Sequence, residues 1–97
     1  MPTYVMLANW TDQGVRTIDD NPKHVDAARK SLEEMGGHFI SFYMTMGTYD
    51  MVVTYDAPDD AVAARFTLML AKQGNVRTTS MKAFPEEAYR RIVDSLR

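Results

Sequence analysis

Two helical patterns set among four strand-like runs, with a further helix at the end, predict an α+β domain built on one antiparallel sheet in the order βαββαβα. Three observations carry that reading: apolar stripes at helical spacing near 25–35 and 62–70, β-branched and aromatic runs bounded by glycine, and prolines or acids at the helix starts.

Thr3 to Asn9 is nearly continuous in apolar character, as expected of a strand covered on both faces. Thr11 and Asp12 cap a helix start, and Asn21-Pro22 divides that helix into two pieces, because proline lacks the N–H and restricts the residue before it. In the second piece Val25, Ala28, Leu32 and Met35 form one apolar stripe, ended by Gly36-Gly37. His38 to Thr45 and Tyr49 to Tyr55 read as antiparallel strands joined at Met46-Gly47-Thr48, with Gly47 taking positive φ. Pro58-Asp59-Asp60 opens a second helix whose buried stripe is Val62, Phe66, Met69 and Leu70, and Gly74-Asn75 ends it. Val76 to Phe84 is the fourth strand, and Pro85-Glu86-Glu87 starts a terminal helix with Ala88, Ile92 and Leu96 on one side. The topology that satisfies right-handed crossovers most simply is the split βαβ arrangement, a ferredoxin-like fold with strand order 4-1-3-2. All 97 residues fall in this single domain.

Composition narrows the function classes. Eleven Lys and Arg against thirteen Asp and Glu give a formal charge of −2 with no basic stripe, which argues against nucleic acid as a partner. The absence of cysteine removes disulfide, thiolate and Cys-metal chemistry and fits a reducing compartment. No apolar run approaches the ~18 residues of a membrane span, and the expectation is a cytoplasmic protein without a membrane partner. His24 and His38 have no second ligand at metal-binding spacing, so no metal site is expected, and no residue pattern identifies a cofactor.

Two helices cover one face of a four-stranded sheet, yet large apolar residues stand at both parities, Tyr4 and Met6 against Val5 and Leu7, Met51 and Val53 against Val52. The uncovered face therefore calls for a twofold-related copy, a homodimer or higher homo-oligomer, unless the terminal helix covers it instead. The sequence leaves open which parity faces the helices.

The same topology gathers Asn9-Trp10, Thr11 to Gly14, the Gly47 to Asp50 hairpin and Gly74-Asn75 at one pole. Gly14, inside a helix where glycine costs about 1 kcal/mol relative to alanine, points either to a close backbone or ligand approach or to a loosely formed first turn.

Met46-Gly47-Thr48-Tyr49-Asp50-Met51-Val52-Val53, with Pro2-Thr3-Tyr4-Val5 and Gly74-Asn75-Val76-Arg77-Thr78, resembles the GYD domain family of small bacterial and archaeal proteins, named for its Gly-x-Tyr-Asp element. The resemblance covers nearly the whole chain and implies a fold akin to the dimeric α/β barrels, a group that includes cofactor-free oxygenases, lactone isomerases and haem-degrading monooxygenases. It implies no activity of its own. Asn and Trp occur among the active-site residues of the haem-degrading enzymes, but here Asn9 and Trp10 are adjacent and no histidine stands at an obvious proximal-ligand position.

Each candidate at the pole has two readings. Asp50 is a general base raised by apolar walls, or a turn acceptor; Tyr49 is a donor to a substrate oxygen, or a packing residue. Asn9 and Trp10 form an amide contact and an aromatic wall for a ligand, or cap and close the core. Arg77 holds a carboxylate or phosphate in its planar fork, or is a solvated strand residue. Three function classes follow: a homo-oligomer binding a small metabolite in a pocket between sheet and helices near the Gly47 hairpin, a cofactor-free isomerase or monooxygenase-like enzyme using Asp50 and Tyr49, and a structural or interaction oligomer without a ligand.

Overall fold

In the computed structural model, which describes residues 1–97, the opening run becomes β1 (Thr3–Trp10), and Tyr4, Met6 and Ala8 are its buried residues. Alternation fixes which face they share, since successive strand side chains point to opposite sides. The predicted break in the first helix is real: α1 (Asp12–Arg16), a 3-10 turn (Ile18–Asp20) and α2 (Asn21–Glu34) follow one another, with Pro22 in the first turn of α2, where its missing N–H costs no intrahelical bond. Next come β2 (His38–Met44), β3 (Met51–Asp56), α3 (Asp60–Gln73), β4 (Val76–Ala83) and α4 (Glu86–Asp94). Asp59 caps α3 by accepting the Val62 N–H at 2.9 Å, and Gly74, at φ 81°, ends it in the left-handed conformation that glycine adopts without penalty.

The sheet order is β2-β3-β1-β4 with every neighbouring pair antiparallel, which is the ferredoxin-like arrangement expected. β1 pairs without interruption to both β3 and β4, whereas the β2–β3 register shifts between Phe39 and Ser41, a bulge at Ile40. α2 packs toward β2 and α3 toward β4, both on the face that carries Tyr4, Met6, Val53 and Tyr55. There Tyr55, Phe66 and Leu32 are the largest fully enclosed side chains; Tyr55 stacks on Tyr4 at 5.2 Å between ring centroids and meets Phe66 edge-on at 5.3 Å.

The opposite face stays uncovered within the chain. Register places Val5, Leu7, Val52, Tyr43 and Met81 on it, with Tyr43 64% and Met81 46% exposed. α4 does not close over it: no element shares an extended contact with α4, and Tyr89, Ile92, Val93 and Leu96 are exposed. These four recur at i, i+3, i+4 and i+7, a complete apolar stripe. The far side of α4 carries the pairs Glu86–Arg90 at 2.8 Å and Glu87–Arg91 at 2.9 Å.

The β2–β3 connection corrects the sequence reading. The strands stop at Met44 and Met51, so Thr45, Tyr49 and Asp50 belong to a loop rather than to strands. Thr45 closes that loop, its N–H donating to the Asp50 carbonyl at 2.7 Å and its hydroxyl to the Tyr49 carbonyl. A longer loop needs no left-handed residue at its tip: the positive-φ glycines are Gly36 and Gly74, not Gly47. Phe84 likewise falls just beyond β4.

Candidate functional site

The four segments expected at one pole do meet there. Asp50, in the loop before β3, accepts the Trp10 backbone N–H on Oδ2 at 3.0 Å, and the Asn9 side-chain amide lies 3.5 Å from the same oxygen. That amide also donates to the Thr48 carbonyl at 2.9 Å, while the Asp50 N–H donates to Ala8 at 2.9 Å. The hairpin loop is thereby fastened to the end of β1.

A second fastening joins α1 to the α3–β4 turn. Thr11 donates from its backbone N–H to the Asn75 carbonyl at 3.0 Å and from its hydroxyl to the Gly74 carbonyl at 2.6 Å, and the same hydroxyl accepts the Gly14 N–H at 3.1 Å. Gln13 donates to the Gln73 carbonyl and to Asn75 Oδ1. Gly14 owes its place to this contact, because a Cβ there would stand 2.2 Å from the Asn75 oxygen. Of its two sequence readings, close backbone approach is the one realised.

The predicted residues are divided between the two faces of the sheet. Asn9 and Arg77 are register partners on the open face, where Arg77 is exposed and makes no ion pair. The Trp10 indole turns to the helix side and donates from Nε1 to Asn21 Oδ1 at 3.1 Å; the Asn21 amide in turn approaches Met51 Sδ at 3.9 Å. Tyr49 is half-buried, and Gly47 is exposed with open space around its Cα. A cavity of about 50 Å³ does lie between the sheet and α2/α3 near this pole, walled by Met6, Met51, Phe42 and Leu70 with Asn21, His24 and Asn75 as polar lining. None of the six predicted residues lines it. His38 sits at the other end of the sheet, paired with Asp56 at 3.0 Å.

That other end holds a polar cluster that the sequence reading missed. The Tyr4 hydroxyl donates to Asp60 Oδ1 at 2.5 Å, and the Lys82 ammonium is 3.2 Å from both Asp60 oxygens. Burial, together with the neighbouring carboxylate, pushes the Tyr4 phenol well above its ordinary 10.0. The Tyr4 hydroxyl and Lys82 hold Asp60 below its usual 3.8. Burial also raises the Tyr55 phenol, offset in part by the nearby Thr67 hydroxyl, yet the Tyr55 oxygen has no partner at hydrogen-bonding geometry. Tyr4 and Asp60 are 56 positions apart, and a tyrosine at an apolar strand position gives no local sign of its acid.

The model of the GYD domain matches residues 4–93 of the chain. The chain belongs to the GYD domain family. Over 86 residues this GYD chain is 36% identical to the glutamine synthetase and cystathionine beta-lyase binding protein of Thermus thermophilus, a match covering 88% of this chain and 90% of that one. Its fold is similar to that in the crystal structure of FFRP-DM1, with a TM-score of 0.62 and 16% identity over 87% of the GYD chain and all of the other. That second likeness is one of architecture. No helix of the GYD chain is long and apolar enough to cross a membrane.

Proposed function

We propose that this GYD chain is a protein-binding module that works as a homo-oligomer, with a second copy on the open sheet face and a partner enzyme on the α4 stripe. The observation that carries the reading is the pair of apolar surfaces left uncovered in one small chain: the face with Val5, Leu7, Val52 and Met81, and the exposed Tyr89, Ile92 and Val93 of α4 with Leu96 just beyond its end. Contiguous apolar area of this kind on a small domain marks an interaction site. A sheet face fits its own twofold copy, since an isologous contact buries one patch twice. A lone amphipathic helix fits a groove on another protein, its i, i+3, i+4 and i+7 residues acting as anchors. The near-full-length match to a protein named for binding two enzymes supports a protein partner of that kind.

The polar pole then has a fastening role, because Asp50 Oδ2 is already taken up by groups of β1. In the enzyme alternative, Asp50 acts as general base and Tyr49 as donor to a substrate oxygen approaching from the loop side. A metabolite-binding version draws its support from the apolar cavity beside Asn21 and His24, and native mass spectrometry of protein from its host would reveal such a ligand as mass lost on denaturation.

The deciding experiment mixes the purified chain with glutamine synthetase and with cystathionine beta-lyase from its own host, followed by sedimentation velocity. A complex with either enzyme, lost in Ile92→Glu while the homo-oligomer persists, is the expected result. No complex with either enzyme at micromolar concentrations would overturn the partner assignment.

A further inference from the structure

The open sheet face carries its charges at two corners. Register brings Tyr43 and His38 to the two ends of β2 on this face, and Arg77 and Ala83 to the two ends of β4. The order β2-β3-β1-β4, antiparallel throughout, puts Tyr43 and Arg77 at one end of the sheet and His38 and Ala83 at the other. Asp56 of β3 stands beside His38. Arg77 and Asp56 are therefore diagonal to each other across an apolar centre, while Tyr43 and Ala83 hold the second diagonal. The remaining positions of this parity carry no charge.

Both charged groups have capacity to spare. Arg77 is exposed and makes no ion pair within the chain. Asp50, at the same end of the sheet, is already engaged by the Trp10 N–H and the Asn9 amide. Asp56 accepts His38 Nδ1 on Oδ1 at 3.0 Å, which leaves Oδ2 for a further donor. A twofold that packs two such sheets face to face has its axis in the plane between them, and the strands cross at twice the angle between axis and strand. An axis along the strands sets Arg77 over the partner's Tyr43, and an axis across them sets it over the partner's Ala83. In either case the guanidinium faces no acid. A residue on the axis meets its own copy, so the diagonal through Arg77 opposes like charges. Along the other diagonal Tyr43 and Ala83 meet their own copies, and Arg77 lies over the partner's Asp56, twice in each dimer.

We infer that the occupant of the open face is a second copy whose strands cross these at near right angles, with Arg77 of each protomer paired to the Asp56 carboxylate of the other. The inference rests on the homo-oligomer reading above and supplies its geometry. Near-perpendicular crossing is one of the two ways in which sheets pack. The planar fork of arginine matches a carboxylate, and Asp56 is already oriented by His38. Val5, Leu7 and Val52 form the apolar centre of the contact, and the two ion pairs at its rim fix the crossing direction.

The test is a charge swap in the full chain, read by sedimentation velocity and native mass spectrometry. Arg77→Asp puts acids at both corners and Asp56→Arg puts bases at both, so each variant alone is expected to self-associate at least about tenfold more weakly than the parent, the effect of like charges set opposite each other. An equimolar mixture of the two is expected to form a heterodimer with parent-like affinity, because opposite charges then meet at both corners, and its recovery shows that both variants are folded. A parent that oligomerises while both variants do so equally well, or a mixture that recovers nothing, would overturn this arrangement and leave the homo-oligomer reading in place. Recovery of Arg77→Asp by Tyr43→Arg or by Ala83→Arg, rather than by Asp56→Arg, would assign a different axis and overturn it too. A monomeric parent would overturn the homo-oligomer reading and this geometry together.

Discussion

The Asp50 carboxylate accepts the backbone N–H of Trp10 at 3.0 Å across 40 positions of sequence, while the Asp50 N–H donates to the carbonyl of Ala8, two residues earlier on the same strand. Side chain and backbone of one residue thus close the same junction between the β2–β3 loop and the end of β1. Asp50→Ala removes the side-chain half and is expected to cost about 1.5–3 kcal/mol in urea unfolding, typical of a hydrogen bond to a charged acceptor. Asp50→Asn keeps an acceptor oxygen and should cost less than half of that. Equal and negligible effects from both variants would show that the backbone bond alone holds the loop.

Gly14 and Gly47 make a matched pair of tests. A Cβ at Gly14 would stand 2.2 Å from the Asn75 carbonyl oxygen, which is backbone and cannot swing aside, whereas at Gly47 nothing lies within 4 Å. Gly14→Ala is expected to destabilise by about 1–3 kcal/mol despite the better helix propensity of alanine. Gly47→Ala should fall within about 0.5 kcal/mol of the parent, as surface changes do. Denaturant midpoints of the two variants check the difference directly.

Stability should weaken at both extremes of pH through the Tyr4–Asp60 contact. The folded Tyr4 holds its proton above the ordinary 10.0, so its contribution is complete below that pH and declines as alkali deprotonates the unfolded chain first. The folded Asp60 carboxylate is held below 3.8, so its contribution is complete above that pH and declines as acid carries it through its lowered value. Tyr4→Phe removes the phenol and one of the groups that hold Asp60 down. Melting temperature followed across both limbs should flatten in the variant, and parallel profiles would remove this contact from the account.

If the open face is a subunit interface, a charge there is severe. Leu7 stands in the middle of it, in register with Val52 on one side and Thr79 on the other. Leu7→Lys is expected to give monomer or aggregate in light scattering where the parent gives a discrete oligomer, since an unpaired charge does not stay buried between apolar sheets. A parent that sediments as a stable monomer would refute the interface itself.

The positions of the helices could be read from the chain because their signals are local, and the strand order followed from the crossover rule once four strands were placed. Pro22, Asp59 and Gly74 mark helix ends through backbone chemistry that acts within a few residues. The β2–β3 loop misled for the opposite reason. Thr48-Tyr49 has strand-like composition, and nothing local to it says that the ladder ends at Met44 and Met51, with Thr45 closing the loop onto Tyr49 and Asp50. At the predicted site, proximity was legible and orientation was not: Asn9, Trp10 and Asp50 do meet, but the alternation of β1 sends the Trp10 indole and the Asn9 amide to different sides. The Tyr4–Asp60–Lys82 cluster was invisible because it depends on β1, β4 and α3 being assembled together.

The central position of β1 also governs the kinetics of assembly. Its backbone partners are β3 at 51–56 and β4 at 76–83, so the strand nearest the N-terminus cannot complete a single ladder until distant chain has been collected. Each of those pairings closes a long loop before it is rewarded, which favours folding on the slow side for a domain of this length. Until β4 arrives, one edge of β1 lies unpaired with Tyr4 and Met6 incompletely covered, and that interval is when the chain is most open to wrong pairings with its neighbours.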